Sequence, residues 1–481
     1  MLFLIAGIGL ACVAYAQTTV QLNDSQMWSA SIASGDLQHY YFDTAAQSLP
    51  GLQEPEAKSV YLTLTSCSQP IAPGNYEGEV PSLNMFISTS SEETTLPGPS
   101  HGTMVNDTNL GRISWNSGGQ VQNVWIGVVA PTLTDNWSGN WTYQIAISTQ
   151  GWMHPIISDN DGGSTIFYLE DTDDTHALFT ASGEHQKDNR SLLVASSVAP
   201  ELRYSLCAVD RAAISDYTVN TTRTADGQHF LVSNLTSNSS YMTYLIESTG
   251  SLRSMSAPIH IQTKADDNCR LIYGLGFCDQ VAYSVPAKAS DTTDSIRERY
   301  DDQARQLFEP FNIAISQFNC ETTQYSLVRN CTDCYQDYKR WLCAVSIPRC
   351  TSISQTIADT VAVRVVDANE SRNPWIDETL EPGTWTELLP CIDLCYQVVQ
   401  SCPPFMAFNC PKGDLASLQY GYWKRSTIDA NGMSVQLGPS YPTCNRMQLE
   451  EARLVLSDAS QTPLMNYSIL LIILSIVLLQ A

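Results

Sequence analysis

Three groups of residues have types and spacings that could do chemistry. Carboxylates gather at Asp159-Asn-Asp161-Gly and at Glu170-Asp-Thr-Asp-Asp174, and oxygen ligands of this kind hold calcium. Neither run has the twelve-residue spacing of a calcium loop. Asp and Asn in turns satisfy their own backbone, so both runs are read as turn chemistry. Cys331-Thr-Asp-Cys334 has the spacing of a zinc or thioredoxin-like pair. All seven histidines, however, lie between His39 and His260, outside the cysteine-dense half. No Gly-x-Ser-x-Gly elbow, phosphate loop, dinucleotide fingerprint or His-Glu-x-x-His occurs. The chain is accordingly read as a non-enzyme with no catalytic residues, no metal site and no cofactor.

The chemistry that remains is oxidative. Residues 2 to 14 form a short apolar run ending in Ala14-Tyr15-Ala16, the small-residue pattern of a signal peptide over residues 1–16, so the mature chain is expected to begin at Gln17. Removing Cys12 with it leaves fourteen of the 15 cysteines, an even number suited to disulfides in an oxidising compartment. Asparagines 23, 106, 136, 140, 189, 220, 234, 238, 330 and 369 (Asn23, Asn106, Asn136, Asn140, Asn189, Asn220, Asn234, Asn238, Asn330, Asn369) stand in Asn-x-Ser/Thr and are expected to carry glycans. At the far end, Ser457-Asp-Ala-Ser460, a polar spacer and the apolar run from Ile469 follow the order of a glycosylphosphatidylinositol attachment signal over residues 457–481, with Ser457 as the attachment site. A short tilted membrane helix is the alternative. The expected location is the secretory pathway leading to the outer face of the plasma membrane, with the endoplasmic reticulum membrane as a second station. Forty-nine acids against 25 bases give a formal charge of -24, which repels nucleic acid and favours partners that are cationic or conduct cations.

The elements that must position these residues fall into three regions. Residues 17–150 read as short alternating strands, with runs at 59–65, 83–89, 124–129 and 141–148, and predict an antiparallel sandwich or jelly roll. Residues 151–266 repeat the style, with strands expected at 191–195, 204–209 and 230–236. The run from Leu235 to Glu247 resembles the sixth strand of a fibronectin type III module, so a second sandwich is expected there. Beyond Lys264 the character changes to a helical, disulfide-rich domain over 267–456. Helices are expected at Asp294 to Phe318, interrupted by Pro310, at Tyr335 to Ala344, and at Cys391 to Val399.

Cys334-Tyr-Gln-Asp-Tyr-Lys-Arg-Trp-Leu-Cys343, Ile347-Pro-Arg-Cys350 and Cys391-Ile-Asp-Leu-Cys395 with Cys402-Pro-Pro-Phe-Met406 resemble the frizzled cysteine-rich domain. That resemblance implies bridges Cys269–Cys350, Cys278–Cys343, Cys334–Cys402, Cys391–Cys444 and Cys395–Cys410, with Cys320 and Cys331 paired as extras. Cys67 and Cys207 stand one in each β region, and are read either as a bridge or as buried thiols. Joined to the β-rich, sequon-rich front half, the cysteine pattern resembles the fungal stretch-activated calcium-channel auxiliary subunits of the mating-induced-death family.

The resemblance implies a regulatory subunit that docks on the extracellular face of a four-repeat, voltage-gated-like calcium pore. Aromatic and basic side chains make efficient interface anchors, so Tyr338, Lys339, Arg340, Trp341 and Pro348 are the expected docking residues. The alternative function is a cell-surface receptor or adhesion module that binds an extracellular ligand through the cysteine-rich domain.

Overall fold

The computed structural model describes residues 19–44, 58–89, 96–105, 108–134, 136–157, 165–182, 189–224, 227–319, 325–352, 361–424, 426–428, 434–436 and 442–447. The strands before residue 150 are β1 (Val20–Gln21), β2 (Gln26–Ile32), β3 (Leu37–Asp43), β4 (Tyr61–Ser68), β5 (Asn84–Ser88), β6 (Thr103–Met104), β7 (Thr108–Asn109), β8 (Arg112–Asn116), β9 (Asn123–Val129) and β10 (Trp141–Ser148). Among the described residues they form two five-stranded sheets, ordered β1-β3-β9-β5-β6 and β2-β10-β4-β8-β7. The expected runs at 59–65, 83–89, 124–129 and 141–148 correspond to β4, β5, β9 and β10.

Strand alternation explains why these segments pair. Tyr40 and Phe42 of β3, Leu62 and Leu64 of β4, and Val124, Ile126 and Val128 of β9 recur every second residue, and all are fully buried. They share one core with Trp141, Tyr143, Ile145 and Ile147 of β10, so the two sheets make a sandwich. Tyr40 and Tyr143 satisfy each other inside it through hydroxyls 2.7 Å apart. Gly127 is dictated by close approach, because a Cβ there would overlap the Pro97 carbonyl.

The next elements are β11 (Ile156–Ile157), β12 (Ile166–Thr172), β13 (Ala177–Ser182), β14 (Arg190–Ala195), α1 (Leu206–Ala212), β15 (Thr218–Thr224), β16 (Gly227–Ser233), β17 (Ser240–Thr249), β18 (Leu252–Ser256) and β19 (Ile259–Gln262). One sheet is ordered β11-β18-β17-β14 with β19 also on β17, the other β12-β13-β16-β15. The expected strand at 204–209 is instead α1. Ser205 caps it, its side chain accepting from the Ala208 amide at 3.4 Å, and the capped Leu-Cys-Ala-Val turn buries Ala208 and Val209 as a helix does.

The chain divides into two compact units that cut across the expected boundaries. The first comprises Met1–Phe167, Ser182–Ser215 and Ser240–Ile261; the second comprises Tyr168–Ala181, Asp216–Ser239 and Gln262–Ala481. The strands of 151–266 are therefore shared out, the β14-β17 sheet belonging to the first unit and the β13-β16 sheet to the second.

The rest of the second unit contains β20 (Cys269–Ile272), β21 (Tyr283–Pro286), α2 (Thr293–Ser316), α3 (Cys331–Ser346), β22 (Arg349–Thr351), β23 (Val363–Val366), α4 (Pro374–Thr379), β24 (Trp385–Leu388), α5 (Ile392–Ser401), α6 (Asp414–Gln419), β25 (Ser426–Ile428) and β26 (Ser434–Gln436). The three expected helices are α2, α3 and α5. Helix α2 runs through Pro310 without ending there, because Phe308, Phe311 and Ile315 on either side of it are buried and hold both halves. Leu307, expected on the same apolar stripe, is 43% exposed. Taken over the described residues, the protein is mostly β, with few helices.

Candidate functional site

The described cysteines of the second unit stand on β20, α3, β22 and α5 and in the loops between elements. The structure joins Cys269 to Cys350, Cys278 to Cys343, Cys334 to Cys402, Cys391 to Cys444 and Cys395 to Cys410, with Cα separations of 4.5 to 5.9 Å, within the range a disulfide spans. Cys331 is also disulfide-bonded, and Cys320 lies outside the described residues. In the first unit Cys67 of β4 is joined to Cys207 of α1, Cα atoms 5.0 Å apart, which pins the helix to that strand.

Helix α3 is the centre of this frame. Its first turn is a capping box: the Asn330 side chain accepts from the Thr332 and Asp333 amides at 2.8 and 3.1 Å, and Asp333 accepts from the Asn330 amide at 2.8 Å. Along α3 the buried Cys334 and Cys343 point to α5 and to the loop before β21, while α2 supplies the other wall. Phe311 stacks on Tyr338 with ring centroids 3.8 Å apart, and Phe308 meets Tyr335 edge-on at 4.9 Å.

That geometry changes the standing of the five expected docking residues. Tyr338 is part of the aromatic stack. Lys339 lies 3.2 Å from Asp279 and 5.1 Å above the Phe277 ring, with 20% of its side chain exposed. Arg340 contacts Gln280, Asp337 and Gln397 at 3.2 to 3.5 Å and is 15% exposed. Trp341 donates to the Tyr420 hydroxyl at 3.0 Å, and Pro348 is buried. Four of the five are thus half-buried with contacts inside this unit.

The carboxylate run 170–174 does the expected turn chemistry, Asp173 accepting from the Thr175 and His176 amides at 2.9 and 2.6 Å and Asp171 from the Thr172 amide at 2.8 Å. It also carries a buried ion cluster that was not expected from the sequence. Asp171 is buried and accepts from Lys264 Nζ at 2.8 Å, from the Ser284 amide at 3.0 Å and from Arg349 Nε at 2.9 Å. Lys264 is 1% exposed and also donates to the Thr172 carbonyl. Asp173 accepts from the Leu271 amide at 3.2 Å and from His176. The end of β12 is thus plugged into β20, β21 and β22 by buried charge, two residues from the Cys269 and Cys350 bridge. Burial pushes the Asp171 carboxyl up, but Arg349 and Lys264 outweigh it and hold it below the usual carboxylate range. At Glu170 burial prevails and pushes the carboxyl up to about 7, against the pull of the Thr180 hydroxyl and Arg349. The sequence hides this cluster because its cations stand 93 and 178 residues away.

Among the described residues, no group of three His, Cys, Asp or Glu side chains is placed to hold a metal, and no helix is long and apolar enough to cross a membrane. Every described sequon asparagine is exposed: 23, 136, 140, 189, 220, 234, 238, 330 and 369. Asn106, Ser457 and the Asp159–Asp161 run lie outside the described residues.

Over the described residues this is a mostly β protein whose helical part is tied by disulfides and a buried ion cluster. A family profile described as Mid1, the stretch-activated Ca2+-permeable channel component, matches residues 59–445, and the chain belongs to that family. It is 37% identical over 207 residues to the stretch-activated cation channel yam8 of Schizosaccharomyces pombe, a match covering 42% of each chain. It is 31% identical over 233 residues to the stretch-activated cation channel MID1 of Saccharomyces cerevisiae, covering 45% of this chain and 39% of the other. The MID1 of Cryptococcus neoformans is 23% identical over 480 residues, covering 74% of each. The first two matches span about two fifths of those relatives' own lengths.

Proposed function

We propose that this protein is a regulatory subunit of a plasma-membrane calcium channel. In this reading it docks on the extracellular face of a four-repeat, voltage-gated-like pore and supports calcium entry during stretch or wall stress. The observation that carries the reading is the family match, which runs across both the β-rich and the disulfide-framed parts of the chain. Rigidity supports it as well: a surface held by five described bridges loses little conformational entropy on binding. The formal charge of -24 would raise the local concentration of cations near a pore mouth, an effect screened over about 8 Å at physiological salt. Glycans on the sequons and a lipid at Ser457, or a short membrane tail in its place, belong to the same proposal.

Purification from native membranes tests it. Co-purification of a four-repeat channel chain, together with reduced calcium influx under stress when this protein is deleted, is the expected result. A preparation that carries no channel chain, or that conducts by itself in planar bilayers, overturns it.

A further inference from the structure

Near the point where the described chain ends, an exposed segment of this acidic protein carries apolar side chains between two lysines, with the exposed Asp414 beside them. Leu415 and Leu418 stand three apart on α6, hence on one face, and are 53% and 68% exposed; Tyr422 just beyond is 50% exposed. Single exposed apolar residues are ordinary. Three within eight residues, flanked by the exposed Lys412 and Lys424, are not. Apolar side chains with lysines beside them are the pattern of a segment lying in a membrane interface.

This segment is fastened to the chain's exit. Gly421 exchanges backbone hydrogen bonds with Pro390 and Ile392 at 2.9 Å, and a Cβ at Gly421 would lie 2.6 Å from the Cys444 side chain. The Thr443 hydroxyl donates to the Tyr422 carbonyl and accepts from the Lys424 amide, both at 3.0 Å. Arg446 lies 5.7 Å over the Trp423 ring. From Met447 the chain continues to Ser457 and then to the apolar run beginning at Ile469. Ten residues reach at most about 35 Å, and 22 residues at most about 75 Å. A lipid at Ser457, or a tail inserted from Ile469, would therefore keep this surface within reach of the bilayer at high effective concentration.

We propose that Leu415, Leu418 and Tyr422, with Lys412 and Lys424 beside them, form a foot that rests in the headgroup layer of a phospholipid bilayer. The foot shares the load of the anchor and fixes the tilt of the second unit at the membrane surface. Its apolar side chains reach the acyl boundary while the two lysines meet lipid phosphates. The inference rests on the proposed membrane attachment, and the experiment separates the two.

The protein, extracted with its own anchor, is reconstituted into phosphatidylcholine vesicles containing a photoactivatable phosphatidylcholine, floated, irradiated and mapped by peptide mass. Lipid adducts are expected on the peptide spanning Lys412 to Lys424. In Leu415→Asp/Leu418→Asp they should fall about tenfold, while flotation and the Cys395–Cys410 bridge are unchanged. Flotation without adducts on that peptide, or adducts that the double variant does not reduce, overturns the foot alone. Failure to float overturns both the attachment and the foot. Labelling that disappears when the channel complex is kept intact shows that a protein covers this surface, and also overturns the foot.

Discussion

The first sandwich and the disulfide-framed part of the second unit are held by different means. In the sandwich, alternating side chains such as Leu62, Leu64, Val124 and Ile126 meet across two sheets in one buried cluster; Cys67–Cys207 adds a bridge at its margin. In the second unit the apolar clusters are several and smaller, short strands and helices alternate, and disulfides and buried ions tie them. The difference teaches that the sandwich can survive the loss of any one contact, whereas the framed part depends on a few connections that each close a long stretch of chain.

The sharpest break of this comparison is chemical. Removing Cys343 or Cys402 deletes a bridge worth about 2 to 5 kcal/mol and leaves a buried partner thiol. Both variants should be retained before the cell surface. Removing Cys67 and Cys207 together should leave a protein that is exported with its helical signal intact, measured by circular dichroism and limited proteolysis. Equal damage from both would mean that the sandwich is no more self-sufficient than the framed part.

Next in size is the buried ion cluster. Lys264→Met leaves Asp171 short of one cation in the interior and should cost about 3 to 5 kcal/mol, read as a fall in the second unit's denaturant midpoint. Combining it with Asp171→Leu and Arg349→Met, so that no member of the cluster is left as an unpaired charge, should recover part of the loss, since well-packed apolar side chains often replace a buried ion cluster at little cost. Leu64→Ala, a cavity in the sandwich core, should cost about 2 to 5 kcal/mol in the first unit and leave the second unit's midpoint in place.

Acidity should separate the regions further. Burial pushes the folded-state Glu170 carboxyl up to about 7, well above the ordinary glutamate value of about 4.5. Its contribution to stability is therefore full below pH 4.5 and declines as the pH rises towards 7, because the folded state resists ionising it. His176, raised by its hydrogen bond to Asp173, also loses its contribution as the pH rises through its folded value. The second unit should lose on the order of 3 kcal/mol between pH 5 and pH 8, and Glu170→Gln should flatten most of that slope in thermal melts. The smallest effect is expected from Lys339→Glu. That pair with Asp279 is partly exposed, so the change should cost about 1 kcal/mol or less and leave channel co-purification unaltered.

What could be read from the sequence follows the same division. The strands of the sandwich announce themselves because burial on one face imposes a period of two, and α2, α3 and α5 because burial on one side imposes a period near 3.6. Helix α1 is obscured because Tyr204-Ser-Leu-Cys207 alternates large and small as a strand does, and the decisive residue is the capping Ser205. The role of Glu170 to Asp174 depends on Lys264 and Arg349, and that of Lys339 on Asp279, partners that no local pattern specifies. The interleaved compact units are equally non-local, since the chain passes between them several times within 167–262.

Asn330 carries a practical consequence for testing what a glycan at this sequon would do. In the capping box the side-chain oxygen starts α3, while the side-chain nitrogen is the atom a glycan would take. An amidase that strips the glycan leaves aspartate, which still caps and adds a favourable charge at the positive end of the helix. Replacing Asn330 with alanine would instead remove sugar and cap together, at about 1 kcal/mol for the helix that bears Cys331, Cys334 and Cys343. Thr332→Ala abolishes the sequon and spares the cap, so that variant isolates the carbohydrate from the helix it sits on.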